Sequence, residues 1–165
     1  MQRDKGTFRG KPKGLLRLFL RAPIWLYRLG LGWLLGDRFL LLTHTGRKSG
    51  LPRRTVLEVV RHDKAAGLYV IASGWGEKAD WLLNIQKSPR VTVQSGWEQQ
   101  AAVAVRLTPE EGRLELLDYA RRHPAAFRVL AAKFLGEPPS DIEPACSLLA
   151  QTFPLIALRP GQSGA

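Results

Sequence analysis

The sequence predicts an α+β fold in which six antiparallel strands form a small closed or split β-barrel with peripheral helices. Three observations support this fold class. Short apolar and β-branched stretches alternate with turns rich in glycine and proline, as expected for strands joined in hairpins. The first strands follow each other through short turns, which requires antiparallel pairing and argues against a doubly wound parallel sheet. One helical stretch is inserted between the third and fourth strands.

Hydrophobic patterning and turn residues place the elements in chain order. Residues 1–36 are predicted to be a basic arm followed by two amphipathic helices, and residues 37–160 the barrel, within one globular domain. Thr108 and Pro109 mark the start of the longest helix, because threonine is a favoured N-cap and proline fits the first helical position. The predicted strands are Arg38–Thr45, Arg53–Arg61, Leu68–Ala72, Arg90–Gln94, Gln99–Leu107 and Phe153–Leu158. The predicted helices are Ala79–Gln86, 109–123, 124–135 and 141–150.

The charge of the chain is concentrated in its first third. The formal net charge is +11, and residues 1–61 carry 14 Lys and Arg against 3 Asp and Glu, whereas the rest is balanced. Such asymmetry favours an anionic partner on one face: a phosphorylated cofactor, an anionic membrane or nucleic acid. For residues 3–13, a solvated basic tail remains the alternative. Nucleic-acid binding rests on charge alone, because no aromatic–basic RNA motif is present.

The N-terminal residues show no signal-peptide pattern, so a cytoplasmic location is expected. The single cysteine, Cys146, excludes an intrachain disulfide and a cysteine-cluster metal site. The apolar stretch 15–36 contains three arginines and a proline. Each arginine near a bilayer centre costs roughly 2.5–3.5 kcal/mol, so a membrane-spanning helix is not expected. Residues 15–35 could instead pack on the protein or contact a membrane surface.

The most informative motif is the turn between the first two strands, which runs from Gly46 to Gly50. Its glycines allow positive φ, so that consecutive backbone N–H groups could converge on an anion. The turn does not have the spacing of a nucleotide P-loop. An exposed hairpin with solvated charges is the alternative. The candidate anion-binding side chains are Arg47, Lys48, Ser49 and Arg53.

Two further segments could form a ligand pocket. The loop Ser73-Gly74-Trp75-Gly76 would let a flat ring approach the backbone, although a plain loop with a packed tryptophan is the alternative. Trp81 and Asn84 lie on one face of the following helix, where they could wall a pocket or serve as a core residue and a capping residue. The histidines lack a partner at metal-ligand spacing, and no serine or cysteine nucleophile motif is present.

Taken together, these motifs resemble the deazaflavin-dependent nitroreductase family. The resemblance covers about residues 38–107 and rests on three ordered stretches: Leu-Leu-Thr-His-Thr-Gly-Arg-Lys-Ser-Gly-Leu-Pro-Arg, then Tyr-Val-Ile-Ala-Ser-Gly-Trp-Gly, then Trp-Leu-Leu-Asn-Ile followed by Ser-Pro-Arg-Val-Thr-Val. It implies a split β-barrel like that of the FMN-binding oxidases. It also implies that the deazaflavin coenzyme F420, in place of FMN, is the hydride donor.

The resemblance also implies roles for particular residues. Arg47, Lys48 and Arg53 would hold the phosphate and acidic tail of the cofactor. The ring would be bordered by Ser73, Gly74, Trp75 and Gly76, and the pocket floor shaped by Trp81 and Asn84. Many members carry a lysine in the loop that reads Ser-Gly-Trp-Gly here, and Lys78 is a candidate replacement. Of the tyrosine-rich stretch of nitroimidazole-reducing members only Tyr119 is present, which makes it the candidate for proton delivery.

The expected function is hydride transfer from reduced F420 to a planar, electron-poor acceptor such as a quinone, an enone or a nitroaromatic compound. Two alternatives remain open from the sequence. One is a reductase that binds FMN in the same barrel, and the other is a non-catalytic protein that carries a cofactor or lipid at the membrane surface. Because split barrels often pair through their sheets, a homodimer is expected.

Overall fold

The computed structural model describes residues 38–74 and 76–161. The basic arm and the two amphipathic helices expected in residues 1–36, including the membrane contact considered for residues 15–35, lie outside the described residues. Trp75 of the glycine-rich loop also lies outside them. No helix within the described part of the chain is long and apolar enough to cross a membrane.

Six antiparallel strands close into a barrel, which confirms the predicted fold class. Around the barrel the strands follow the order β1, β2, β3, β6, β5, β4. The strands are β1 (Phe39–Thr45), β2 (Pro52–Asp63), β3 (Leu68–Ala72), β4 (Arg90–Ser95), β5 (Glu98–Arg106) and β6 (Leu155–Pro160). The helices of the described residues are α1 (Asp80–Lys87), α2 (Pro109–Arg122), α3 (Pro124–Leu135) and α4 (Ile142–Thr152), with a short 3₁₀ helix at Gly76–Lys78.

Three strand pairings close the barrel, and all three join segments that are distant in the sequence. β1 pairs with β4, with Leu42 opposite Val93, and β6 inserts between β3 and β5. The long strand β2 pairs with β1 at its start and with β3 at its end, and its register shifts between Val59 and Arg61. Such an irregularity bends the strand, so β2 can follow the barrel wall along its whole length.

The apolar residues form two separate cores. Inside the barrel, inward-facing strand residues such as Leu42 and Ile71 pack against the apolar face of α1, which includes Trp81 and Leu82. Outside the barrel, α2, α3 and α4 cover the opposite face of the sheet through residues such as Phe127. The alternation of side chains along each strand explains how one sheet can supply both cores. The segments that carry the candidate site residues are thereby fixed on a rigid frame.

The last strand begins two residues later than predicted. The N–H of Phe153 donates to the Leu149 carbonyl at 2.8 Å and so completes the last turn of α4. Its ring packs on Phe134, with ring centroids 4.4 Å apart. The apolar run of residues 153–158 therefore spans a helix end and a strand, a boundary that hydrophobicity alone does not reveal. The helix start at Thr108 is confirmed, with a capping box that pairs Thr108 with Glu111.

Candidate cofactor site

The β1–β2 turn is closed by two backbone hydrogen bonds. Gly46 N–H donates to the Leu51 carbonyl at 2.9 Å, and Gly50 N–H donates to the Gly46 carbonyl at 2.8 Å. Gly50 has a φ of +68°, as predicted, but Gly46 does not have a positive φ. A Cβ at Gly46 would lie 2.8 Å from the rotatable Ser49 Oγ and 3.2 Å from the Leu51 carbonyl oxygen. The tightness of the turn, rather than a left-handed backbone, therefore favours a small residue here.

The expectation that consecutive backbone N–H groups of the turn converge on an anion is wrong for most of them. The amides of Gly46 and Gly50 are used within the turn, that of Leu51 donates to Ser49 Oγ at 3.3 Å, and that of Arg47 donates to Asn84. Among the amides of this turn, those of Lys48 and Ser49 have no acceptor within residues 38–74 and 76–161. Anion binding at this turn would therefore depend mainly on side chains.

Asn84 connects the turn to helix α1 through a buried hydrogen-bond network. Its Oδ1 accepts from the Arg47 backbone N–H at 3.0 Å and from Arg47 Nη1 at 3.1 Å. Because both Arg47 groups can only donate, the orientation of the Asn84 amide is fixed, and its Nδ2 donates to His44 Nδ1 at 3.1 Å. With only 5% of its surface exposed, Asn84 is a structural link between three elements of the chain.

His44 is held in its neutral form by this network. Burial, and to a lesser degree the nearby Arg53 guanidinium, lowers the pKa of the imidazole below its usual value. The Nδ1 atom must accept from Asn84, so it carries no proton. This contact could not be predicted from the sequence, because His44 and Asn84 are 40 residues apart.

The three basic side chains of the turn have different environments. Arg47 Nη2 pairs with Asp80 Oδ1 at 3.1 Å, Lys87 Nζ donates to the Arg47 carbonyl at 2.9 Å, and the Arg47 side chain is 27% exposed. Lys48 and Arg53 are exposed. Arg47 is therefore directed toward helix α1, whereas Lys48 and Arg53, with the exposed Ser49, face solvent and are available to an anion.

The glycine-rich loop is tightly folded around Ser73. The Ser73 side chain is fully buried, its backbone N–H donates to the Pro154 carbonyl at 2.9 Å, and its hydroxyl donates to the Gly76 carbonyl at 2.8 Å. The hydroxyl hydrogen is thus already used within the loop. Gly74 lies against the Phe134 ring, where a Cβ would be 3.1 Å from Phe134 Cζ. Gly76 has a φ of +63° and open space around it.

Trp81 packs in the barrel core. Its side chain is 6% exposed and belongs to the same cluster as Leu82 and Ile85. It lines neither the apolar nor the cationic cleft described below. This burial agrees with the alternative interpretation of Trp81 as a core residue, which its position on α1 behind the turn explains.

Two clefts on the outside of the barrel meet at Tyr119. We call the first the apolar cleft; it has a volume of about 170 Å³ and is lined by residues that include Gly74, Leu116, Leu130, Phe134 and Leu155. We call the second the cationic cleft; it measures about 440 Å³, and its charged lining residues are Arg38, Glu58, Arg61, Lys64 and Arg122. Glu58, Val59, Val60 and Tyr119 line both clefts.

Tyr119 lies at the junction of the clefts with 7% of its surface exposed. Burial is the main reason that the pKa of its phenol is raised; Glu58 also raises it, while Arg38 and Arg122 oppose the shift. The phenol is therefore protonated at neutral pH and can donate a hydrogen bond or a proton. Sequence reasoning identified Tyr119 but missed the charged residues around it. The Asp118–Arg122 spacing of four residues was the available indication of a fixed guanidinium.

The turn and the clefts lie at opposite ends of β2. The strand begins at Pro52 beside the turn, and its residues 58–62 line the cationic cleft. From Arg53 to Glu58 is five residues, which corresponds to about 17 Å of extended strand. The turn residues themselves line neither cleft. An elongated ligand with an anionic end and a flat end could therefore contact both places.

The fold is shared with solved structures of low sequence identity. An F420-H2 dependent reductase, FDR-A, aligns with a TM-score of 0.51 and 22% identity over 75% of this chain and 96% of its own. A protein described as a domain-swapped dimer aligns with a TM-score of 0.52 and 20% identity over 84% and 100%. A pyridoxamine 5'-phosphate oxidase-related, FMN-binding protein from Nostoc punctiforme aligns with a TM-score of 0.52 and 16% identity over 92% and 83%.

The family assignment rests on the sequence itself. The family model described as F420H(2)-dependent quinone reductase matches residues 27–134, which is more than half of the chain. The match includes the β1–β2 turn, the glycine-rich loop, helix α1 and Tyr119. The chain thus belongs to the F420H(2)-dependent quinone reductase family and is a deazaflavin-dependent oxidoreductase.

Proposed function

We propose that this enzyme holds the acidic tail of F420 at the β1–β2 turn and reduces a planar, electron-poor acceptor in the clefts beside Tyr119. The acceptor is a quinone, an enone or a nitroaromatic compound. The observation that carries the proposal is the course of β2, which leads from an exposed cationic turn to a cleft with both an apolar and a charged part. A flat redox coenzyme with a phosphate and acidic tail has these two kinds of ends.

The residues of the turn fit an anionic tail. Lys48 and Arg53 are exposed, and the amides of Lys48 and Ser49 have no acceptor among the described residues. Two full positive charges together with two free N–H donors are suited to phosphate and carboxylate oxygens. Arg47 adds positive potential, although its guanidinium is paired with Asp80. We assign direct contact with the tail to Lys48, Ser49 and Arg53, and a positioning role to Arg47.

The loop at Gly74 fits the flat end of the ligand. Gly74 lines the apolar cleft, and the absence of a side chain there lets the Phe134 ring pack directly against the loop. When bound, the reduced deazaflavin supplies the hydride, that is, two electrons and one proton. The walls of the cleft orient the acceptor and exclude water. Ser73, Gly76 and Trp81 support this loop and the barrel behind it.

Reduction of a quinone to a hydroquinone needs one further proton beyond the hydride. Tyr119 is placed to supply it from the phenol oxygen, since the phenol is protonated at neutral pH and lies at the junction of the clefts. Solvent that reaches the cationic cleft can then return a proton to the phenolate. This assignment gives Tyr119 a role that phenylalanine, which lacks the phenolic hydroxyl, cannot fulfil.

Turnover measurements test the proposal. Oxidation of reduced F420 is followed by absorbance with menadione, an enone and a nitroarene as acceptors. We expect turnover with at least one acceptor, and we expect Tyr119→Phe to lower kcat by about 10²-fold, the usual scale for a positioned proton donor. Tight F420 binding without oxidation by any acceptor would contradict the proposed reaction and favour a carrier.

A homodimer is part of the same proposal. The support is the fold relative described as a domain-swapped dimer, whose whole length is matched by this chain. Light scattering during size-exclusion chromatography should give a mass of twice 18.4 kDa. A species at the monomer mass over a wide concentration range would contradict it.

A further inference from the structure

The charged residues around Tyr119 are arranged as a receptor for an anion. The cationic cleft is lined by four cationic side chains and one carboxylate. The nearby carboxylates of Glu115 and Asp118 pair with Arg61 and Arg122, at 2.9 Å and 2.7 Å. Among the described residues, each of the three arginines therefore has one carboxylate partner. The apolar cleft beside it has no charged lining residue other than Glu58.

Two of the arginines are ion-paired yet retain further N–H donors. Arg122 donates through Nε to Asp118 Oδ2 at 2.8 Å and through Nη2 to the Val60 carbonyl at 3.3 Å. Arg38 directs Nε and Nη2 to a single oxygen of Glu58, at 3.3 and 3.2 Å. Arg38 Nη1 has no hydrogen-bond partner among the described residues, and Arg122 Nη1 has only a contact of 3.5 Å with His123 Nε2. A guanidinium held in this way loses little conformational entropy when it binds an oxyanion.

We propose that the acceptors preferred by this enzyme are aromatic compounds bearing a carboxylate or sulfonate group, which Arg122 and Arg38 bind while the ring lies against the apolar cleft. This inference rests on the proposed function and deepens it by naming the substrate class. The volumes of the two clefts, about 440 and 170 Å³, accommodate such a ring with its substituent.

The experiment compares two naphthoquinones that share a ring system, menadione and 1,4-naphthoquinone-2-sulfonate, with reduced F420 as the electron donor. For each acceptor, kcat/KM of Arg122→Gln is divided by that of the wild type, which removes the intrinsic reactivity of the acceptor. We expect the sulfonate ratio to fall about tenfold, the effect of losing a charge-assisted hydrogen bond. The menadione ratio should change less than about twofold. Arg38→Gln should act in the same direction.

The matched control is Arg121→Gln, which removes the same charge from the adjacent position of α2. Arg121 is exposed and lines neither cleft. The substitution Arg121→Gln should leave the kcat/KM ratios for both acceptors near one. Equal losses for the two acceptors in Arg122→Gln, or an equal sulfonate loss in Arg121→Gln, would overturn the inference.

A binding measurement separates this inference from the proposed function. Titration calorimetry with 2-naphthalenesulfonate and neutral 2-naphthol requires no turnover and is performed on the F420-loaded protein. Tighter binding of the sulfonate that Arg122→Gln removes and Arg121→Gln retains supports the anion receptor even if no acceptor is reduced. Equal affinity for the two compounds would reject the receptor even if quinones are reduced.

Discussion

At the scale of single residues, Asn84 shows how a buried amide can organise a surface turn. All of its polar atoms are used: the oxygen by two donors of Arg47 and the nitrogen by His44. The sequence suggested Asn84 as a pocket or capping residue, since neighbours in the helix were the only contacts that could be predicted. Its real partners come from β1 and the turn, 37 and 40 residues away.

Replacing Asn84 should therefore destabilise the protein. Asn84→Leu leaves the buried Arg47 N–H and His44 without partners, and we expect the free energy of unfolding to fall by about 2–3 kcal/mol. Urea denaturation followed by tryptophan fluorescence measures the change. Gln86→Leu, at an exposed position of the same helix, is the control and should change stability little. A loss in Asn84→Leu no larger than in the control would contradict the network.

His44 should make the stability depend on pH. Its folded-state pKa is lowered, so the unfolded chain binds a proton near the usual value of 6.5 while the folded protein does not. The stabilisation is thus present above about pH 6.5 and is lost as the pH falls below it. The charged groups near the network are Arg53, Arg47, Asp80 and Lys87.

The measurement is the free energy of unfolding from pH 8 to pH 5.5. His44→Gln retains an acceptor for Asn84 but does not titrate, so part of the pH dependence should disappear. The exposed His123 provides the control, since His123→Gln should leave the slope in place. An unchanged pH profile in His44→Gln would show that His44 is not the responsible group.

At the scale of elements, the β1–β2 hairpin and α1 form one unit in which basic residues have two kinds of roles. Arg47 joins the hairpin to Asp80 of α1, while Lys48 and Arg53 extend into solvent. The motif alone could not separate these roles, because all three residues are cationic and close in sequence. The roles differ because α1 packs beside β1, so that Asp80 and Asn84 form hydrogen bonds with Arg47 and not with Lys48 or Arg53.

Matched substitutions should distinguish the two roles. We expect Lys48→Gln to weaken F420 binding severalfold at low salt and to leave the melting temperature unchanged, because an exposed charge contributes little to stability. Arg47→Gln should lower both the affinity and the melting temperature. Fluorescence titration and thermal unfolding provide the two measurements. If Lys48→Gln lowered the melting temperature as much as Arg47→Gln, the distinction between the roles would be wrong.

At the scale of the whole molecule, the sequence was sufficient to predict the secondary-structure elements but not the tertiary contacts between them. Hairpins β1–β2 and β4–β5 follow from short turns between β-branched stretches, and these local features were predictable. The insertion of β6 between β3 and β5 depends on packing around the entire barrel. The clefts at Tyr119 also required the structure, because their walls come from β2, the glycine-rich loop and three helices.

The family resemblance is the reason that a particular site could be predicted. The family match over residues 27–134 covers the turn and the glycine-rich loop. The resemblance could not show that Ser73 and Trp81 are buried here, since burial depends on the neighbours of each side chain. Nor could it reveal the arginines of the cationic cleft, because Arg38 and Arg122 lie in segments that no motif includes.

The most direct test of the account is titration of the purified protein with oxidised F420, followed by the fluorescence of the cofactor, with FMN as the competitor. We predict micromolar or tighter F420 binding, little competition by FMN, and a weakening of at least tenfold when Lys48→Gln and Arg53→Gln are combined, since two charge-assisted contacts are lost. Binding that prefers FMN, or that is indifferent to this double substitution, would contradict the assignment of the β1–β2 turn as the holder of the deazaflavin tail.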